Sequence, residues 1–345
     1  MKRRDRISSL LGTLTVLSIS IIAGIIIILL TSDVPSESLF SFFISPFTSK
    51  YFFFNMLACA TPLIFTGLAV SLAFSAGTYN LGVEGQVYLG ALAGTFIAVR
   101  LGGAFPFGVV PLIFLTSFLV SGLLAGVSGW LKSSRGANEL ITSLLAGNAI
   151  IILIDYIVEG PFQDFYSGLA ATPKVPDNYM LSKVMPPSDF HTGFFIGLFF
   201  AILIYWFIYH TRMGYDLRIT GKDPEFARYL GIKIGSIYII SMFLSGGLAG
   251  IGGIVDVLGI QGRVIRGFSA GYGWNGIAVS LIARNNPLLV IPSALFFAYL
   301  DTGAQIASFQ ADLTPEVARV VQSVIFYFIT ARAFYEIYTV GREKK

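Results

Sequence analysis

Charge is scarce in this chain. Only 12% of its 345 residues are Asp, Glu, Lys or Arg, about half the share carried by a soluble chain of this length. With 55% hydrophobic residues and a mean hydropathy of +0.76, the composition defines an all-α polytopic membrane protein. Cysteine is almost absent. The lone Cys59 excludes a disulfide within the chain, and its apolar surroundings suit a small buried residue. The two histidines, His191 and His210, bracket one apolar segment, which places them at the interface and leaves no cluster for a metal. There is no G-x-x-x-x-G-K-[ST] sequence, so the chain does not hydrolyse ATP through a P-loop. Neither H-E-x-x-H nor a nucleophile elbow occurs, which argues against a membrane enzyme. The formal charge of +4 points to membrane topology rather than to nucleic acid.

What the chain does have is long apolar runs. They fall at about 11–30, 51–75, 84–100, 106–131, 140–158, 192–209, 236–258, 273–283, 287–306 and 317–338, ten in all, with 84–100 and 273–283 short. The first run follows Lys2-Arg3-Arg4-Asp5-Arg6 and is long enough to span a bilayer. No small-residue cleavage site follows it, so a retained span is expected, with the N-terminus inside. Residues 36–50, with Phe40, Phe42, Phe43 and Phe47, suit an outer interfacial segment. On this topology sixteen basic residues are cytosolic and seven are outside, as the positive-inside rule requires. Both termini, including the tail 339–345, are then cytosolic. The Pro-rich loop 159–190 lies outside, and the basic loop 210–235 lies inside. The whole of 1–345 forms a single transmembrane domain.

The loop 210–235 carries its own helix signals. Asp223 is a good N-cap, Pro224 suits the first helical position, and Glu225 favours the positive end of the helix dipole. Gly231 can adopt the left-handed conformation that ends a helix. The resulting two turns display Phe226, Tyr229 and Leu230, with Arg228 between them. Such a short helix needs something to dock on.

Two other stretches are polar and Gly-rich between apolar runs. The first, Tyr79-Asn80-Leu81-Gly82-Val83-Glu84-Gly85-Gln86, has Tyr79, Asn80, Glu84 and Gln86 as candidates for a solute pathway, since a carboxylate at membrane depth is costly. Glu84 can equally cap the helix it begins. The second, Gly259–Gly276, offers Tyr272, Trp274 and Asn275 to a planar ligand or to an aromatic belt. Its Arg263 and Arg266 face outer solvent or a docking protein. Asp155, Asp256 and Asp301 lie near the outer ends of their segments, where solvation is the expected state, and Gly246, Gly247, Gly250, Gly252 and Gly253 suit close helix packing. Phe74–Gly82 and Phe268–Gly276 match at five of nine positions. Five spans separate the copies, so the two halves form an inverted repeat, a transporter signature. An ion-coupled secondary transporter, with Glu84 or Asp301 titrating, is one class that fits these features.

The string Asn80-Leu81-Gly82-Val83-Glu84-Gly85-Gln86 resembles the signature of permease subunits of ABC importers for nucleosides, simple sugars and related solutes. Asn138-Glu139-Leu140-Ile141 resembles the family's Asn-Glu motif. Gly221–Ile232 resembles its cytosolic coupling segment, and Gly271–Val279 through Asn285-Asn286-Pro287 resembles its re-entrant stretch. The motifs run in family order over most of the chain, and the nucleoside-type branch is the best match, although Trp274 departs from the aliphatic or Phe residue of that branch. The resemblance implies a bacterial inner-membrane importer for nucleosides or nucleobases, with riboflavin or a simple sugar as alternatives. It implies cytosolic ATPase subunits that bind the ATP, a second related permease, and an extracytoplasmic solute-binding protein. It makes Asp223, Pro224, Glu225, Phe226, Arg228 and Tyr229 the ATPase-coupling residues.

Overall fold

The computed structural model describes residues 18–101, 108–325 and 327. The basic N-terminal run, the start of the first apolar segment, most of 326–338 and the tail 339–345 lie outside the described residues. Among the described residues the fold is helical, and β pairing is limited to the isolated bridges Ala171–Ile265 and Lys183–His191. This satisfies backbone polar groups within each segment, as a bilayer requires.

Each of the ten apolar segments holds a helix. Six are long and apolar enough to cross a membrane: α4 (Lys50–Ser75), α6 (Val109–Arg135), α7 (Glu139–Glu159), α8 (Gly193–His210), α11 (Ile234–Asp256, continued by a π turn at Val257–Gln261) and α13 (Pro287–Gln310). The others are α1 (Ser18–Thr31), α5 (Val83–Leu101), α12 (Tyr272–Ile282) and α14 (315–325). Of the two segments expected to be short, only α12 is. The 19 residues of α5 reach about 28 Å, whereas the 11 of α12 reach about 16 Å, half of a bilayer core. The interfacial segment is two helices, α2 (Pro35–Phe43) and α3 (Ser45–Thr48), with Phe42 buried and Phe40 and Phe47 exposed. The basic loop holds α9 (Arg212–Lys222) and α10 (Pro224–Tyr229). Helix α9 was not anticipated: Thr211 caps it through Gly214 N–H at 3.0 Å, but its sequence is too polar to stand out beside the membrane spans.

The chain divides into two compact units, one of residues 1–57 with 295–345 and one of residues 58–294. In the first, Ile28, Phe42, Leu300, Ala304, Leu313, Val321 and Ile325 form the core. Asp312 organises its polar edge, accepting from Ser32 Oγ at 2.6 Å, Ser38 Oγ at 2.8 Å and Asp33 N–H at 2.5 Å. Those hydrogen bonds from Ser32 and Ser38 hold its carboxyl down at about 2, so the charged form persists and stabilises above the usual carboxylate range.

The second unit is built around α11, which packs on α6 and α5. The most apolar stretches of α4 and α11 are 83% and 72% buried, against 22–33% for those of α6, α7 and α8, so the first two are interior and the last three keep most of their surface open. Small residues let the backbones meet: a Cβ at Gly90 would strike Gly250, and one at Gly250 would strike Ser117 and Ser121. Ser117 Oγ donates to Gly90 O and Ser121 Oγ to Gln86 O, both at 2.8 Å. The Gly-rich run of α11 is thus a packing seam, as its composition suggests.

Three burial expectations are corrected. His191 is fully buried rather than interfacial, because its imidazole lies against Gly193 and Gly259, where no other side chain would leave room. Asp256 is fully buried rather than solvated, and accepts from Tyr272 Oη at 3.3 Å. Cys59 is only partly buried, since it sits on a less enclosed face of α4.

His191 Nδ1 accepts from Gly193 N–H at 3.1 Å. Burial disfavours its cation and pushes its pKa from 6.5 to about 4. The folded protein therefore binds fewer protons than the unfolded chain between these values, and stability present above pH 6.5 is lost as the pH falls through about 4. The contribution is of order 3 kcal/mol. Melting temperature in detergent should fall over this window, and His191→Asn should flatten that part of the profile.

Candidate functional site

The contacts within the second unit gather one set of helix ends. Lys132 near the end of α6 pairs with Glu139 at the start of α7 at 2.6 Å. Its Nζ also donates to Gly77 O, beyond α4, at 3.2 Å. Gly221 of α9 lies against the backbone of Ser75 and Gly77. At the other end, Arg266 pairs with Glu159 at 2.5 Å and Asp155 at 3.9 Å, and Arg263 with Asp164 at 3.4 Å. Arg263 and Arg266 are therefore engaged by carboxylates of α7 and the loop after it.

The coupling segment has the expected local structure. Asp223 Oδ1 accepts from Phe226 N–H at 3.0 Å, and Pro224 opens α10. At the far end Gly231 has φ +77°. Gly231 N–H donates to Arg228 O at 3.0 Å and Ile232 N–H to Ala227 O at 3.1 Å, the paired bonds of a Schellman ending. Only Ala227 is buried, while Phe226 and Leu230 are 50% exposed and Tyr229 is 90% exposed. Glu225, Arg228 and Tyr229 line a shallow cavity of about 220 Å³. Beside it, Leu230, Ile232 and Ile237 with Arg212, Tyr215 and Lys233 line a groove of about 720 Å³.

The first Gly-rich stretch is a loop that leads into α5. Asn80 and Gln86 are buried and lock their amides together: Asn80 Nδ2 donates to Gln86 Oε1 at 2.8 Å, and Gln86 Nε2 to Asn80 Oδ1 at 2.9 Å. Asn80 Nδ2 also donates to Ser245 Oγ of α11 at 3.0 Å, and Ser143 Oγ of α7 accepts from Leu81 N–H at 3.1 Å. These amides are used up in holding irregular backbone between two apolar helices, which a membrane protein must satisfy internally. Tyr79 differs. It is 44% exposed and makes an edge contact with Phe74.

Glu84 caps a helix, but not its own. Its Oε2 accepts from Gly273 N–H in the first turn of α12 at 2.5 Å. Ser269 Oγ and the amides of Gly271 and Trp274 also point at it. The N-cap of α12 is Gly271, which has no side chain, so beyond the Ser269 hydroxyl on Tyr272 N–H it is the Glu84 carboxyl that meets the helix N-terminus. The two related stretches meet here: Gly273 leaves no space for a Cβ against Val83 and Glu84. Gly77 and Gly271, equivalent in the repeat, both have positive φ, +68° and +95°. Tyr272 turns toward Asp256, Trp274 is 49% exposed and Asn275 is partly buried on α12. The turn after α12 places Arg284 and Asn285 at positive φ. Asn286 then caps α13 through Leu288 N–H at 3.1 Å.

Sequence reasoning assigned Lys132 to topology alone and missed Ser143 and Ser245. Ser and Lys at helix ends are common, and only proximity in space gives these their meaning. No group of three or more His, Cys, Asp or Glu residues is placed to hold a metal among the described residues.

With the fold and these contacts in place, the chain can be set beside known proteins. Residues 52–330 match the family described as branched-chain amino acid transport system / permease component, and the chain belongs to that family. It is an ABC transporter permease, a multi-pass membrane protein of a class that works with ATPase and substrate-binding subunits. It is 31% identical to a glucose ABC transporter permease protein of Haloferax volcanii, over 95% of this chain and 88% of the relative. It is 33% identical to a probable riboflavin import permease protein of Treponema pallidum, over 89% of this chain and 81% of the relative. A guanosine ABC transporter permease protein of Bacillus subtilis is 26% identical, over 99% of this chain and 98% of the relative.

Proposed function

We infer that this chain forms the solute pathway of an ATP-driven importer of nucleosides or nucleobases, paired with a second, related permease. The observation that carries the coupling half of this reading is α10. It is a six-residue helix capped at both ends that leaves Phe226, Tyr229 and Leu230 exposed, a rigid apolar knob suited to a groove on an ATPase subunit. Asp223 and Pro224 fix its start, while Glu225 and Arg228 frame the knob with charge. Closure of the ATPase pair on ATP would move α10 and switch the permeases between outward- and inward-open states.

The solute class rests on chemistry. Tyr79 and Trp274 are the exposed aromatics of the two Gly-rich stretches, and planar bases stack on such rings. Asn275 can read a polar edge, while Asn80, Gln86, Tyr272 and Glu84 shape the wall from behind. Riboflavin, also planar and aromatic, is the second reading, favoured by the relative from Treponema pallidum. A sugar, as in the relative from Haloferax volcanii, makes less use of the rings. The end that carries Lys132, Arg135, Arg218, Lys222 and Arg228 is cytosolic by the positive-inside rule. Both termini then face the cytosol of a bacterial inner-membrane protein, and 1–345 acts as one permease domain.

The test is purification of the tagged chain from its native membrane in mild detergent, with companions identified by mass spectrometry. An ATPase and a second, different permease are expected; identical permease copies alone would overturn the pairing. The recovered binding protein is then titrated with guanosine, riboflavin and glucose. Tight binding of guanosine is expected, and selectivity for glucose or riboflavin would replace the solute assignment.

A further inference from the structure

Lys132 occupies a junction that no membrane-topology role requires. Its side chain is only 19% exposed, and its ammonium faces three different elements. It pairs with Glu139 Oε1 of α7 at 2.6 Å, donates to Gly77 O in the loop before α5 at 3.2 Å, and lies 4.3 Å from the ring centre of Tyr238 on α11. A charge this enclosed needs its partners, since removing one leaves the other poorly solvated. Asn138 caps α7 through Leu140 N–H at 2.9 Å, which fixes Glu139 in the first turn. Ser143 then joins Glu139 O at 2.6 Å to Leu81 N–H at 3.1 Å.

The loop held by Lys132 is also the loop that α9 touches. Gly221, at the end of α9, lies so close to Ser75, Ala76 and Gly77 that a Cβ on it would strike all three. Asp223, two residues on, is the cap of α10. In the other direction the loop passes through Thr78, whose Oγ1 is 3.0 Å from Ser241 Oγ of α11, to Asn80 and Glu84. A displacement of α9 and α10 therefore meets backbone, not pliable side chains, at Gly77. Gly77 N–H is taken by Phe74 O at 3.1 Å, and Lys132 is the side chain that binds the Gly77 carbonyl.

We propose that Lys132 is a positioning residue for transport: its bond to Gly77 O, braced by Glu139, latches the Gly-rich loop so that movement of the α9–α10 segment is passed to the start of α5. This rests on the coupling role assigned above to α10. The latch is specific in geometry. It needs a cation at 132, because only a charged donor is held by the Glu139 carboxylate while it donates to Gly77 O, and an anion at 139 to steady that donor.

The experiment uses the complete importer in proteoliposomes and reads solute taken up per ATP hydrolysed. Tritiated guanosine, riboflavin and glucose are each supplied, and the one carried by the native complex is used. Lys132→Gln should retain the ATPase subunits and hydrolyse ATP, with uptake per ATP lowered about tenfold, within the range typical of coupling between sites. Lys132→Arg, which keeps a donor and a charge, should restore most of the ratio. The exchange Lys132→Glu with Glu139→Lys keeps an ion pair between α6 and α7 but cannot donate from 132 to Gly77 O, so it should fold and remain uncoupled. A native ratio in Lys132→Gln, or full recovery in the exchanged pair, would overturn the latch. The exchanged pair decides the matter even where Lys132→Gln does not fold. A native complex that recruits no ATPase would instead remove the coupling role itself, and the latch with it.

Discussion

Gly90→Leu is expected to leave little folded protein in the membrane. Gly90 on α5 and Gly250 on α11 meet backbone to backbone, and Gly250 is in turn closed in by Ser117 and Ser121 of α6. No flexible side chain stands in the way of an added Cβ, so the helices themselves would have to separate. That would also break the 2.8 Å bonds from Ser117 Oγ to Gly90 O and from Ser121 Oγ to Gln86 O. Overpacking costs about 1–3 kcal/mol where side chains can rearrange, and more is expected where three backbones are already in contact. Within lipid no hydrophobic gain between helices offsets the loss, because association there relies on close packing and hydrogen bonds. Size-exclusion of detergent extracts and melting temperature provide the readout. Gly108→Leu is the control, since nothing lies within 4 Å of a Cβ at that position. Comparable melting of the two variants would show that the seam is not the main support of this unit.

The double variant Pro224→Gly, Phe226→Ala should hydrolyse ATP while importing little solute. Pro224 sets the backbone at the first position of α10, and glycine there releases conformational freedom worth about 0.5–1 kcal/mol. Phe226 presents half of its surface to solvent, and truncating an aromatic anchor in a docked interface commonly costs about 2 kcal/mol or more. Neither residue supports the membrane helices, so the melting temperature should match the native protein. Uptake in proteoliposomes should fall at least about tenfold, with hydrolysis much less affected. Native uptake by this variant would mean that α10 does not transmit the ATPase motion.

The residues that sequence reasoning read well are those whose chemistry is local. Asp223, Pro224 and Gly231 define α10 through contacts with their own neighbours, so the helix, its caps and its exposed face were all legible. The apolar segments were equally legible, because spanning a bilayer is a property of a single run. Contacts between distant parts of the chain were not. Glu84 was expected to face a pathway or to cap α5, and its partner proved to be Gly273 on α12. Lys132 counted as one cation among sixteen, yet it joins three elements. His191 and Asp256 were placed at interfaces by their position along the chain, and packing by remote glycines and tyrosines buried them. The amide pair of Asn80 and Gln86 shows the same limit, since polar residues beside glycines look alike whether they face a solute or each other.

The cap on α12 bears on how the protein is assembled. Eleven residues form too short a helix to be stable alone and too short a segment to cross a bilayer. Its N-cap, Gly271, offers no side chain, and locally only Ser269 Oγ accepts a first-turn amide, that of Tyr272 at 3.1 Å. The further acceptor is Glu84, 189 residues earlier in the chain. During synthesis α12 therefore emerges into a membrane where α5 must already stand in place to receive it. The later half of the permease finishes folding on a template provided by the earlier half, and loss of Glu84 should show first as failure to complete insertion after residue 271.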